Sequence, residues 1–131
     1  MCPNPDCEGR TVAFRVPPDL RDYAPEGAAV AELCARCLRT FPTDGADAEP
    51  APSFDAVLDA FPDGEAGAAL ALALGRLDRL ALERPAVVAC CEYAERAGAD
   101  VYLTLDRLGT AGSVVPHFDA DRRKQQLRTF L

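Results

Sequence analysis

Long apolar runs are missing from this chain. The longest uncharged one, 66–75, is far too short to cross a bilayer. Met1 leads straight into a cysteine motif, so no signal peptide is expected. The expectation is a soluble, cytoplasmic protein with no membrane partner. Lysine is almost absent: Lys124 stands alone, and arginine supplies the other cations. The formal net charge is −7. Acidic excess, scarce lysine and abundant alanine point to a halophilic cytoplasm and a G+C-rich genome. The same charge argues against general nucleic-acid binding, whose affinity comes largely from cations on phosphate. Histidine also occurs once, at His117, and the chain holds no serine–histidine–acid set, phosphate loop or dinucleotide fingerprint.

Six cysteines are present, and four fall into two pairs. Cys2-Pro3-Asn4-Pro5-Asp6-Cys7 is answered by Cys34-Ala35-Arg36-Cys37. Short Cys-x-Cys turns present two sulfurs to one ion, so two such turns read as a closed four-thiolate site for structural Zn²⁺. Iron suits four thiolates as well. Disulfides are the other reading, but such bonds are rare in the cytosol. A site closed by four thiolates has no position left for substrate, so its role is structural. The metal ligands expected here are Cys2, Cys7, Cys34 and Cys37.

Each knuckle runs into a strand-like alternation. Val12, Phe14 and Val16 alternate with Thr11 and Arg15 after the first; 38–41 alternates after the second. Between them Pro25, Glu26, Ala28, Ala29, Val30 and Leu33 read as a short helix that delivers Cys34. The segment 43–53 concentrates Asp, Glu, Gly and Pro and reads as an extended linker. Beyond it the period becomes helical. A short helix is expected over 54–61, broken by Pro62-Asp63-Gly64. The strongest helix is expected over 65–82, with Leu70, Leu74 and Leu77 inside and Arg76, Asp78 and Arg79 outside. Pro85 opens the next, which runs to about Ala97 before Gly98. The segment 100–108 fits both periods and is read as helix. Asp119 caps a last helix over 120–130. The fold expected is α+β: a zinc ribbon over 1–42, a linker over 43–53, and an all-α module over 54–131.

Other residues carry alternative chemistry. Cys90-Cys91 could supply a thiol nucleophile with His117 as its base, but adjacent helical cysteines among Val87, Val88 and Tyr93 read first as buried hydrophobes. His117, beside Pro116 and after a loop, is expected to be exposed. Arg122, Arg123, Lys124 and Arg128 form the one cationic cluster, and Asp119 and Asp121 offset it.

Cys2-Pro3, Asp6-Cys7, Gly9, Pro17, Leu20-Arg21, Cys34 and Cys37-Leu38 together resemble small zinc-ribbon proteins of haloarchaea without assigned function. The paired knuckles are also similar to ribbons of transcription factors and RNA polymerase subunits, although Leu38 stands where those often carry glycine. The function expected is a non-enzymatic intracellular adaptor whose partner is another protein. A nucleic-acid-contacting ribbon using Arg10, Arg15, Arg36 and Arg39 is the first alternative, and a thiol enzyme using Cys90 or Cys91 the second. A homodimer through surplus apolar surface on 65–82 is a further partner reading. Removing the ion is expected to unfold the chain up to about Phe41 and leave the helices intact.

Overall fold

The computed structural model describes residues 2–45, 48 and 52–130. Its N-terminal part is a three-stranded antiparallel sheet, ordered β1-β2-β3, and its C-terminal part is helical. The class is α+β. β1 is Thr11–Arg15, β2 Val30–Cys34 and β3 Thr40–Pro42. Val12 faces Leu33 and Phe14 faces Ala31 across the β1–β2 pair. Phe14, Ala31 and Leu33 are all buried, so this face of the sheet is the inner one.

The helix expected before Cys34 is absent; β2 takes its place. The segment between β1 and β2 holds only 3-10 turns, Pro18–Tyr23 and Pro25–Gly27. Glu26 and Gly27 both have positive φ, at 55° and 66°, which no helix continues through. Ala31 and Leu33 then alternate with Val30 and Glu32 at period two. Being paired on both edges outweighs alanine's helix preference.

The segment 54–61 also departs from the expected helix and forms tight turns, with Val57 N–H on Phe54 O and Phe61 N–H on Leu58 O. Phe54, Val57 and Phe61 all point inward. The Phe54 ring packs between Phe14 of β1 and Phe61, centroids 5.8 and 5.1 Å away. Much of the expected linker, including Ala46, Asp47, Glu49, Pro50 and Ala51, lies outside the described residues.

The long helix expected over 65–82 is two helices. α1, Gly64–Leu74, is buried at every residue from Ala66 to Leu74. It stops at Gly75, where a Cβ would sit 2.7 Å from Thr40 of β3. Thr40 Oγ1 meanwhile donates to Ala71 O at 2.7 Å. After a 3-10 turn at Leu77–Arg79, α2 covers Leu80–Arg96, with a break at Glu83 (φ −114°, ψ 22°) ahead of Pro85. Leu82 is left 84% exposed, while the α1 leucines are inside. The apolar surplus expected for a homodimer is therefore not on α1. α2 ends before Gly98, whose φ is +104°. α3, Val101–Thr110, resolves the ambiguous segment as helix; Asp100 caps it by accepting from Leu103 N–H at 3.0 Å. α4 spans Ala120–Phe130, with Asp119 accepting from Arg122 N–H.

One hydrophobic cluster runs through both parts. Phe14, Val16, Leu20, Leu33 and Leu38 belong to it together with Leu70, Leu74, Leu80, Val87, Leu105 and Leu127. Polar staples cross the same boundary. Arg76 aims Nε and Nη2 at Tyr23 O, 2.9 and 2.6 Å away, and its Nη1 meets Glu83 Oε1 at 2.8 Å. No helix of the described residues is long and apolar enough to cross a membrane.

The Arg76 fork yields a stability prediction. Arg76→Met keeps the stem but strands Tyr23 O and leaves Glu83 only its longer pair with Arg79, at 3.5 Å. A loss of about 2–3 kcal/mol is expected in denaturant melts, since bonds to charged groups contribute about 1.5–3 kcal/mol. Stability unchanged within error would refute the staple.

Candidate metal centre

Two turns build the site. In the first, Cys2 N–H donates to Gly9 O at 2.8 Å and Cys7 N–H to Asn4 O at 3.0 Å, while Asn4 Oδ1 accepts from Asp6 N–H. In the second, Leu38 N–H returns to Cys34 O at 3.0 Å. Cys34 is also the last residue of β2, opposite Thr11, so the sheet register sets where the second knuckle starts.

The turns bring Cys2, Cys7, Cys34 and Cys37 together, all four sulfurs within 4.8 Å of one another. Cys2 Sγ lies 3.8 Å from Cys37 Sγ, and Cys7 Sγ lies 3.7 Å from Cys34 Sγ. A tetrahedral ion 2.3 Å from each sulfur requires edges of about 3.8 Å. A disulfide requires about 2.05 Å, and all six cysteines are free. These four residues could hold a metal ion.

Backbone donors surround the sulfurs. Gly9 N–H points at Cys7 Sγ; Arg36 and Cys37 N–H both point at Cys34 Sγ, each at 3.4 Å. Burial works against ionising Cys34, yet these donors outweigh it and hold the thiol below its ordinary value. Cys2 behaves oppositely: burial pushes its thiol up to about 12.

Two backbone positions are fitted to this geometry. A Cβ on Gly9 would lie 2.5 Å from Cys34 Sγ and 2.7 Å from Arg36 Cβ. Leu38 adopts φ +64°, the left-handed conformation that glycine usually supplies after the last cysteine of such a turn. Its side chain is fully buried in the common core. The turn therefore forms without glycine.

Sequence reasoning placed His117 in solvent, but its side chain is 1% exposed. The ring packs edge-on to Phe118, and Nε2 meets Leu74 O at 3.0 Å. A carbonyl only accepts, so Nε2 carries the proton. Burial lowers the His117 pKa, partly opposed by the Asp78 carboxylate 3.6 Å from Nδ1. The backbone around it is equally engaged: Val115 N–H donates to Arg36 O at 2.7 Å and His117 N–H to Cys37 O at 3.0 Å. This strap joins the second knuckle to the end of α1. No short-range pattern announces it, because its partners are 43 and 80 positions away in sequence.

The remaining candidates lie elsewhere. Cys90 and Cys91 are buried in α2, and burial pushes both thiols up to about 12, away from what a nucleophile needs. In the cationic cluster, Lys124 pairs with Asp106. Arg123 donates to Asp78 O, and Arg128 stacks over Tyr102.

Two substitutions test the fit. Gly9→Ala should weaken metal binding at least about tenfold, whereas Gly112→Ala, with nothing within 4 Å of its Cβ, should not; a competitive chelator titration reads both. Leu38→Gly removes about 1–2 kcal/mol of left-handed strain but deletes a buried leucine worth about 3–5 kcal/mol. A net loss of about 1–4 kcal/mol is expected in denaturant melts, and a gain in stability would show that strain dominates.

No curated protein and no solved structure matches the chain. One family model does, from residue 1 to residue 131, and its description is a family of unknown function, DUF6276. The chain, its cysteine centre and its helices alike, belongs to that family.

Proposed function

We propose that the protein is a non-enzymatic zinc protein that acts by protein contact, with Zn²⁺ held structurally by Cys2, Cys7, Cys34 and Cys37. The observation that carries this reading is the pair of sulfur–sulfur edges, 3.8 and 3.7 Å, matching a tetrahedral ion with short thiolate bonds. Zinc is favoured over iron as the borderline-soft, redox-inert ion that structural thiolate sites commonly take. Four thiolates fill its coordination, so the ion supports shape rather than chemistry.

The contact role is supported by what the cations already do. Lys124, Arg123 and Arg128 are engaged inside the fold, which leaves less for phosphate. Net charge −7 adds a repulsive field. Arg10, Arg15, Arg36 and Arg39 around the ribbon keep the nucleic-acid reading as the competitor. A binding titration with single- and double-stranded nucleic acid at several salt concentrations separates them. The contact role predicts no affinity that falls with salt; a steep negative slope would overturn it.

The metal has its own test. Elemental analysis of purified protein should return one zinc per chain; iron, or none, would refute the assignment. Ordering some forty residues costs far more than the ribbon's own apolar side chains return, and structural zinc contributes on the order of 10 kcal/mol. Chelation should therefore unfold the ribbon. The shared cluster and the strap at Val115 and His117 lead us to expect that the helices loosen in the same transition. Residue-resolved NMR during chelation should show amide dispersion fall on both sides of 43–53 together. Loss confined to the first forty residues would favour two independent modules instead.

A further inference from the structure

α2 buries one side, with Val87, Cys90, Cys91 and Ala94 in the core. On the opposite side Pro85, Ala89, Glu92 and Arg96 follow at intervals of four, three and four, so they share one helix face. Ala89 is half-buried and the other three are exposed. Leu82 precedes this stripe by one turn, beside the break at Glu83. It is 84% exposed, against 57% for Val115 and 43% for Leu103 on α3. The charges on this side are divided by end. Arg79 and Arg84 stand at the N-terminal end, and Glu92 and Glu95 at the C-terminal end. Arg79 is 59% exposed and has only the long pair with Glu83, at 3.5 Å. Arg84 is exposed and stacks over Phe130. Glu92 and Glu95 are exposed and in no ion pair among the described residues. A helix dipole favours acids at the N-terminus and cations at the C-terminus. These four charges run the other way, so the helix itself does not account for them. Of the charges that follow the dipole, Glu83 is taken by Arg76 at 2.8 Å and Arg96 stacks over Tyr93.

We propose that this face of α2 is the interface of a homodimer, in which two copies of the helix pack antiparallel across a two-fold axis. A two-fold interface meets its own copy, so it has to complement itself. Antiparallel packing achieves this: the Arg79 and Arg84 end of one protomer meets the partner's Glu92 and Glu95. Parallel packing would set like charge on like. The small side chains of Pro85 and Ala89 let the two backbones approach closely, and Leu82 gains an apolar surface to cover it. A second copy is the occupant that this division of charge selects, because one face carries both the cations and the acids that answer them. A single helix face is small for a specific interface, so the dimer is weak and concentration-dependent. It gives the contact role proposed above a partner, and it needs no metal.

The test is sedimentation equilibrium of the full-length chain from micromolar to millimolar concentration, which should show a reversible monomer–dimer equilibrium. Leu82→Glu should weaken it by at least about tenfold, whereas Leu103→Glu should stay within about twofold of wild type. Circular dichroism establishes that each variant is folded; both leucines are exposed, so neither substitution opens the core. A charge reversal then tests the antiparallel arrangement. Glu92→Arg with Glu95→Arg gives two basic ends, and Arg79→Glu with Arg84→Glu gives two acidic ends. Each double variant alone should associate at least about tenfold more weakly than wild type. An equimolar mixture of the two should recover dimers, each with one chain of either kind. A wild-type chain that stays monomeric at millimolar concentration would overturn the proposal. Dimers that Leu82→Glu leaves intact, or a mixture that associates no better than either variant alone, would overturn it equally. None of these results touches the contact reading itself, which a salt-dependent affinity for nucleic acid would defeat instead.

Discussion

Cys34 belongs to two structures at once. It ends the central strand β2, facing Thr11, and it begins the second knuckle. A strand register is fixed by which side chains face the core, because a slip of one residue moves every side chain to the other face. Phe14, Ala31 and Leu33 set that register. The sulfur of Cys34 is thereby delivered to a position that hydrophobic packing, not the loop, decides. Gly9 and the first knuckle then fold against it with no space to spare, a Cβ at residue 9 falling 2.5 Å from Cys34 Sγ. The cysteine centre and the sheet are one construction.

The helices enter that construction from the other side. α1 is buried at every residue from Ala66 to Leu74 and packs against the inner face of the sheet. Two of its C-terminal carbonyls are engaged by other parts of the fold: Ala71 O, which also takes the Gly75 N–H, and Leu74 O. Ala71 O accepts from Thr40, and Leu74 O from His117. His117 in turn holds Cys37 O through its backbone. The end of α1 and the second knuckle are thus separated by a single residue of the strap. Movement at one is felt at the other, because a buried carbonyl without a donor costs about 1–3 kcal/mol.

How much of this was legible follows from the range of the interactions involved. The four cysteines were readable because ligand spacing is local: two residues between one pair, four between the other. α4 and its Asp119 cap were readable for the same reason, whereas the α3 segment fitted both periods and its Asp100 cap was not read. The helix expected before Cys34 failed because Ala28 to Leu33 is locally helix-prone, and only pairing on both edges makes it a strand. The helix over 65–82 failed at Gly75, a glycine inside an otherwise helical window whose stop is fixed by the approach of Thr40 from β3. His117 was misplaced because the sequence shows a loop beside a proline. The acceptor that buries its ring is on α1.

Leu38 shows which way the dependence runs. A leucine at φ +64° is strained, and an isolated knuckle would carry glycine there. What keeps leucine in place is the core, which buries its side chain completely. Burial of such a side chain returns about 1.5–3 kcal/mol, enough to offset a left-handed residue at about 1–2 kcal/mol. The turn that presents Cys37 is therefore stabilised in part by the core that Leu38 shares with the helices. A ribbon cut from this chain would keep the strain and lose the burial. Helices cut from it would lose the sheet that covers α1. The strain at Leu38 lies in the knuckle and its burial in the shared core, so the cysteine spacing marks the site while packing shapes the turn.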